Sequence, residues 1–385
     1  MKRPSFSPSR LRLIIQTAIV IFFLYIGWEF INYYLWATGA SQQFTPRPPA
    51  VEGFLPISAL LGLKRLLLGG GFDPVHPAGL SIFLGAMLIA LIARKGFCGY
   101  LCPVGWACAR LGKIGKRLGI SRTPGPLLAR LLSLPKYLLL IMLVWPIATK
   151  MGLQDLEMFI NSPFNKLADT HMMLFFLEPS TNALVGIGVI VLGSMIVPGF
   201  WCRGFCPYGA LLGLFSLFSP LAVRRNKEKC TYCRRCLRAC PVTIRVHEKT
   251  RVGSPECQGC LECVSACPEE GCLEVRAGYG KKGLRMPFWS IPALTLLLAL
   301  LVYAGARANG VWESRVNPME LKMHHMRMML PKKAMPPGMS AVKNSMRGKM
   351  EQPRMPEQAR PHTQEQAQDQ TQSRSPRQPS LQTPE

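Results

Sequence analysis

Cys230-Thr231-Tyr232-Cys233-Arg234-Arg235-Cys236-Leu237-Arg238-Ala239-Cys240-Pro241 is followed, after a short connection, by Cys257-Gln258-Gly259-Cys260-Leu261-Glu262-Cys263-Val264-Ser265-Ala266-Cys267-Pro268. Both runs read CxxCxxCxxxCP, the spacing with which thiolates hold two [4Fe–4S] cubanes in one small module. Three closely spaced thiolates wrap one face of a cubane, and the fourth reaches across to the other cluster. Cys230, Cys233, Cys236 and Cys267 are therefore assigned to the first cluster. Cys257, Cys260, Cys263 and Cys240 are assigned to the second. Zinc modules rarely repeat such a run, and disulfide scaffolds have no need of it.

The 385-residue chain has room for two or three domains. It is 49% hydrophobic yet carries a formal net charge of +25. The basic residues flank long apolar runs, so the charge points to a multi-pass membrane protein rather than to a nucleic-acid binder. Lipid is the expected surrounding, and no nucleic-acid partner is expected. Fourteen cysteines imply a reducing side for most of them, because cluster ligands must be thiolates. Lys2, Arg3, Arg10 and Arg12 precede an apolar run too long for a cleaved signal and lacking a small-residue cleavage site, so it reads as an uncleaved first span.

Five stretches have the length and apolarity of spans: 13–36, 78–94, 134–152, 183–200 and 288–306. A shorter piece, 55–70, holds Lys64 and Arg65 mid-way and reads as an interfacial or re-entrant helix. Basic residues cluster in the arm 1–12, after the second span (Arg94, Lys95, Arg110, Lys113, Lys116, Arg117, Arg122, Arg130) and after the fourth (Arg224, Arg225, Lys227, Lys229). The positive-inside bias thus places the N-terminus and the cluster module, 224–280, in the cytoplasm of a bacterial cell whose inner membrane holds the spans. Five spans would leave the tail, 312–385, outside.

The membrane domain, 13–223, contains two copies of one unit: out, loop, back, and a cysteine pair at the inner face. The pairs are Cys98-Gly99-Tyr100-Leu101-Cys102-Pro103 and Cys202-Arg203-Gly204-Phe205-Cys206-Pro207. The copies run in one direction, which predicts a pseudo-twofold axis along the membrane normal. Proline after each pair predicts that Cys102 and Cys206 cap helices, where the dipole favours a thiolate. Four converging thiols form either a redox dithiol set or a third metal centre; the plain alternative is buried structural cysteine. The expected fold is an α-helical multi-pass membrane protein of about five spans, the first four as two parallel repeats, with a small two-cluster ferredoxin-like α+β module.

This combination of spans, two CxxxCP motifs and a double CxxCxxCxxxCP run resembles the NapH, NosR and YccM group of membrane-bound ferredoxin-type proteins, over roughly residues 10–280. The resemblance implies electron transfer between membrane quinol and a periplasmic reductase system, with cytoplasmic clusters. It carries over the eight ligands together with Cys98, Cys102, Cys202 and Cys206. A more distant likeness, to the CcoG/FixG/RdxA type associated with copper delivery to cytochrome oxidase, supplies an alternative: a cupric or disulfide reductase serving the assembly of a cuproenzyme. No CxxCH haem motif and no flavin or nucleotide fingerprint is present, so a redox partner subunit is expected.

Quinol oxidation sheds protons as well as electrons, and His76 with Asp73 three residues away offers suitable acid–base chemistry, although a turn and helix cap would use the same residues. Asp169 and His171 form a second pair, and Glu29 lies within the first span. Cys108 and Cys272 read as packing residues. In the tail, Met319, Met323, His324, His325 and Met326, followed by Met328 and Met329, present thioether and imidazole groups that suit Cu(I); a membrane-surface helix would explain them equally. Further methionines follow at 335, 339, 346, 350 and 355 in a low-complexity tail.

Overall fold

A computed structural model describes residues 7–279 and 283–329. Lys2, Arg3 and the methionines at 335, 339, 346, 350 and 355 lie outside the described residues. Prolines set most helix starts, since a ring at the first turn loses no needed N–H and fixes the entry angle. In chain order the helices are α1 (Pro8–Ala37), α2 (Pro56–Leu67), α3 (Pro77–Ala93), α4 (Pro103–Arg117), α5 (Pro126–Leu131), α6 (Leu134–Lys150), α7 (Leu153–Ile160) and α8 (Pro163–Lys166). There follow α9 (Ala168–Leu177), α10 (Thr181–Ile196), α11 (Phe200–Gly204), α12 (Pro207–Phe215), α13 (Arg235–Ala239), α14 (Glu262–Ser265), α15 (Ser290–Ala308) and α16 (Pro318–Met329). Three strands, β1 (Ala222–Arg225), β2 (Leu273–Ala277) and β3 (Leu284–Met286), form an antiparallel sheet in that order, with Val223 opposite Val275 and Arg276 opposite Arg285.

Among the described residues three helical stretches are long and apolar enough to cross a membrane: Pro8–Ala37, Pro126–Lys150 (α5 and α6 together) and Ser290–Ala308. A fourth crossing results if α9 and α10, bent by 79° at their junction, are taken as one broken span. The expected count of five is thus not met by length alone. The shortfall has a physical cause in α3. Its 17 residues reach about 26 Å, short of a hydrocarbon core, and eleven of them are buried. Hydropathy cannot tell a helix wrapped by protein from one wrapped by lipid. In α1 and α6, by contrast, Ile21, Leu24, Trp28, Leu138, Met142 and Trp145 face outward.

α15 runs antiparallel to α3 at close range. A Cβ on Gly85 would meet Val302 Cγ1 at 3.2 Å, and one on Gly96 would meet Thr295 Oγ1 at 2.2 Å. Lys64 and Arg65 of α2 are not stranded in lipid. Lys64 Nζ donates to the carbonyls of Ile147 (2.7 Å), Ala148 (3.0 Å) and Met151 (2.5 Å), capping α6, while Arg65 Nε donates to Glu157 at 2.6 Å. The chain after α15 returns to the far end of α3, where Arg315 N donates to Pro74 O, and α16 packs on the C-terminal part of α1. One core joins bundle and module: Ile89, Ala93, Tyr100 and Ile291 pack with Val223, Val242, Val252, Leu261 and Val275.

Candidate iron-sulfur centres

Two cavities lie in the module. The first is lined by Cys230, Cys233, Cys236 and Cys267. The second is lined by Cys257, Cys260, Cys263 and Cys240. Each cavity thus draws three cysteines from one run and the fourth from the other. Among the described residues no three His, Cys, Asp or Glu side chains close to metal-ligand distance, so the fit rests on these cavities and their thiol linings. Both suit a [4Fe–4S] cubane in donor number and type.

Local geometry repeats between the runs. Tyr232 and Arg234 in the first run, and Gly259 and Leu261 in the second, all take left-handed backbone, φ 53°, 58°, 64° and 60°. These turns fold each CxxCxxC loop around its cavity. Non-glycine residues pay about 1–3 kcal/mol for such φ values, which persist where surroundings over-determine them. Cys272, expected only to pack, also lines the first cavity and is buried. Its position follows from the start of β2, a long-range feature that cysteine spacing does not carry.

The second run is seated on the bundle. Arg12 of α1 donates to Glu262 Oε1 at 2.9 Å and to Gly99 O at 3.2 Å, and Gln16 also donates to Gly99 O at 2.8 Å. Tyr100, between Cys98 and Cys102, donates its hydroxyl to Gly259 O at 3.2 Å. A Cβ on Gly99 would stand 2.4 Å from Gln258 O, so glycine is required for this approach. Lys136 Nζ lies 2.5 Å and Lys95 Nζ 3.9 Å from Glu256, which precedes Cys257. Arg203, between Cys202 and Cys206, donates to Val242 O at 2.9 Å and to Thr243 Oγ1 at 2.9 Å. Several cations that set the expected orientation therefore also fasten the module.

Cys102 and Cys206 are helix N-caps with extended backbone, as the following prolines predict, and Gly209 N donates to Cys206 Sγ at 3.2 Å. Cys98 precedes them within a single π turn, Phe97–Leu101. Cys98 and Phe97 of the first motif pack in one cluster with Tyr208 of the second, so the two motifs meet. Burial opposes the expected thiolate stabilisation. Burial pushes Cys98 up to about 11 and Cys102 up to about 12, outweighing the backbone N–H groups. Cys108, expected to be a packing residue, is buried on α4. No observation here builds a third metal centre.

At the opposite end of α3, His76 is fully buried. One ring nitrogen, Nε2, lies 2.7 Å from Asn165 O; the other, Nδ1, lies 3.5 Å from Glu52 Oε1. Asp73 Oδ1 accepts from Val75 N (2.8 Å) and His76 N (3.0 Å), so it caps the turn while Glu52 stands beside the ring. Arg47 pairs with Glu52 and lies 3.4 Å from Asp169. Burial opposes a charged His76, but the neighbouring Glu52 carboxylate outweighs it and raises its pKa. Sequence distance hid this network: Arg47, Glu52, His76 and Asp169 come from three separate stretches of chain, Asp169 from the first turn of α9. His171 instead stacks on Phe164. Glu29 lies one turn from Tyr25 on α1.

In α16, His325 is buried with Nδ1 2.8 Å from Leu321 O and Nε2 2.9 Å from Thr170 Oγ1, so both ring nitrogens are engaged. His324 lies 3.6 Å from Glu320. Met319, Met323 and Met326 are exposed.

Two cubane cavities in a ferredoxin-like module, fastened to apolar helices, define a membrane-bound ferredoxin-type electron-transport protein. A family model described as a 4Fe-4S dicluster domain matches residues 222–268, and one described as a 4Fe-4S binding domain matches twice, at 75–121 and 180–226. The chain is 34% identical over 311 residues to YccM of Escherichia coli K12, named as a candidate electron transport protein, covering 79% of this chain and 85% of that one. It is 30% identical over 210 residues to the methylamine utilization ferredoxin-type protein MauN of Methylorubrum extorquens, 49% and 62% of the two chains. It is 21% identical over 175 residues to the ferredoxin-type protein NapH of Escherichia coli K12, 45% and 57%. No solved structure matches. The chain belongs to the NapH/YccM-type 4Fe-4S family.

Proposed function

We propose that this protein relays electrons between the quinol pool and a periplasmic reductase system, from the inner membrane of a bacterial cell with its clusters on the cytoplasmic side. The observation that carries the reading is the seat of the second cluster loop on the first cysteine pair, where Tyr100 bonds Gly259. When bound, the clusters supply one-electron transfer. The chain's own residues hold the second cavity against the bundle, at the end that also carries the half-buried thiols Cys98, Cys102, Cys202 and Cys206. These thiols are the natural next redox element.

Quinol oxidation releases two protons and two electrons. The proton acceptor proposed is His76, with Glu52 rather than Asp73 as its carboxylate and Arg47 and Asp169 fixing the charge around it. Asp73 orients His76 through the turn it caps.

The test is anaerobic purification in detergent, addition of a reduced quinol analogue, and EPR of the clusters against a dithionite-reduced control. Cluster signals after quinol addition support the relay. Signals with dithionite alone sink quinol as donor and raise the second reading, a cupric or disulfide reductase acting in cuproenzyme assembly. What favours that reading is the exposure of the Met319, Met323 and Met326 thioethers at helical spacing on α16, groups suited to Cu(I). A full-length protein that binds no Cu(I) would remove it.

A further inference from the structure

The two cysteine runs can be laid over one another position by position. The second run carries Gly259, Leu261, Glu262 and Ser265 where the first carries Tyr232, Arg234, Arg235 and Arg238. In the second run these positions meet the bundle: Gly259 O accepts from Tyr100, Leu261 is buried in the shared core, and Glu262 binds Arg12. In the first run the same positions are exposed, as is the ligand Cys233 itself. Tyr232 is 57% exposed and lies under the guanidinium of Arg225, 5.2 Å from its ring centre. One docking face of the module is therefore used, and its counterpart is open.

The open face differs in charge as well as in exposure. Three arginines replace a leucine, a glutamate and a serine. Lys227 and Lys229 add to them; exposed Glu228, Glu269 and Glu270 oppose them, and the balance stays positive. On the used face the module supplies the carboxylate and the bundle the arginine. On the open face the module supplies the arginines, so the complementary partner supplies carboxylates. A flat tyrosine beside a ligand that reaches the surface gives such a partner a short route to the cluster.

We propose that the face around the first cluster, bearing Tyr232, Arg234, Arg235 and Arg238, docks an acidic soluble one-electron carrier protein. One electron leaves the carrier's reduced centre and one arrives at the first cluster; no bond forms or breaks and no proton moves. Electrons then pass to the second cluster and the bundle. The proposal rests on the cluster assignment and not on quinol as the other redox partner.

The test is stopped-flow reduction of the full-length, cluster-loaded protein in detergent by an acidic probe, reduced plant-type [2Fe–2S] ferredoxin. Photoreduced lumiflavin, small and uncharged, serves as control. The expected result is a second-order rate that falls as salt rises, with R235E/R238E slowing the ferredoxin reaction about tenfold at low salt and sparing the lumiflavin reaction. R235K/R238K should retain the ferredoxin rate. A salt-independent rate, or a charge-reversed protein reduced by ferredoxin at the wild-type rate, would overturn the docking face. So would a charge reversal whose sole effect is weaker retention on anionic-lipid vesicles, which would assign the face to lipid headgroups. A wild-type protein without cluster EPR signals would instead refute the cluster assignment on which the proposal stands.

Discussion

The first and second cysteine runs share one spacing and one loop geometry, yet they live in different surroundings. The second is sealed against α1, α3 and α15 by a buried arginine–glutamate pair, a tyrosine hydroxyl and two glycines. The first keeps Cys233, Tyr232 and three arginines in solvent. The comparison teaches that ligation and docking are separable. The cysteines fix what is bound; the residues between them fix what the bound group is near. A module with one closed face and one open face offers its two clusters different surroundings: helices beside the second, solvent beside the first.

The largest expected effect comes from breaking the exchange of fourth ligands. Cys267→Ala, although it lies in the second run, should remove the first cluster and spare the second. Cys240→Ala should do the reverse. Iron content and EPR of each variant check this, and the opposite pattern would show that each run serves its own cavity.

A residue swap probes docking next. Gly259→Tyr places a ring where a Cβ alone would already be 3.2 Å from Ile291 Cγ2, at a φ of +64°. Overpacking and backbone strain together should cost about 2–5 kcal/mol and lower the thermal midpoint of the module. The reciprocal Tyr232→Gly loses the stack with Arg225 but relieves a left-handed tyrosine, so its net effect should stay within about 1 kcal/mol. Equal losses from both swaps would erase the distinction between the faces.

Arg12→Ala leaves Glu262 buried without its partner and should destabilise by about 3–5 kcal/mol, less when combined with Glu262→Gln. The same pair carries a pH dependence. Burial raises the Glu262 pKa, but the charges of Arg12 and Lys113 outweigh it and leave it depressed. A carboxylate depressed in the folded state contributes stability above its unfolded pKa and loses it as pH falls through the folded value. Docking should therefore be intact at neutral pH and weaken only below the ordinary carboxylate range. Thermal unfolding of wild type and Glu262→Gln across that range should converge in acid.

The smallest effect should come from the exposed pair Arg245–Glu248, 3.2 Å apart. Arg245→Ala should change stability by no more than about 0.5 kcal/mol. A larger loss, measured by the same thermal scan, would mean that the exterior near the first cavity is more tightly organised than its exposure implies.

Much of the module was legible in the sequence because its logic is local. CxxCxxC spacing, proline after the fourth cysteine and proline after each CxxxC all act within one or two turns of chain. The helix caps at Cys102 and Cys206 follow from the same short-range rule. The span count was less legible. An apolar run such as α3 is equally apolar whether lipid or protein surrounds it, and only packing against α15, α2 and α12 reveals the answer. The carboxylate beside His76 was misplaced for a related reason: Asp73 is near in sequence, whereas Glu52 is near in space.

The sequence by itself determined the iron-sulfur cofactor type and singled out the eight thiols that line the two cavities, because metal ligation depends on residue type and short spacing. Tertiary structure alone decided which run faces the helices, and that Arg47, Glu52, His76 and Asp169 meet at the far end of α3. Those outcomes depend on which distant surfaces bury one another, and burial is a property of the folded whole that no short stretch of chain encodes.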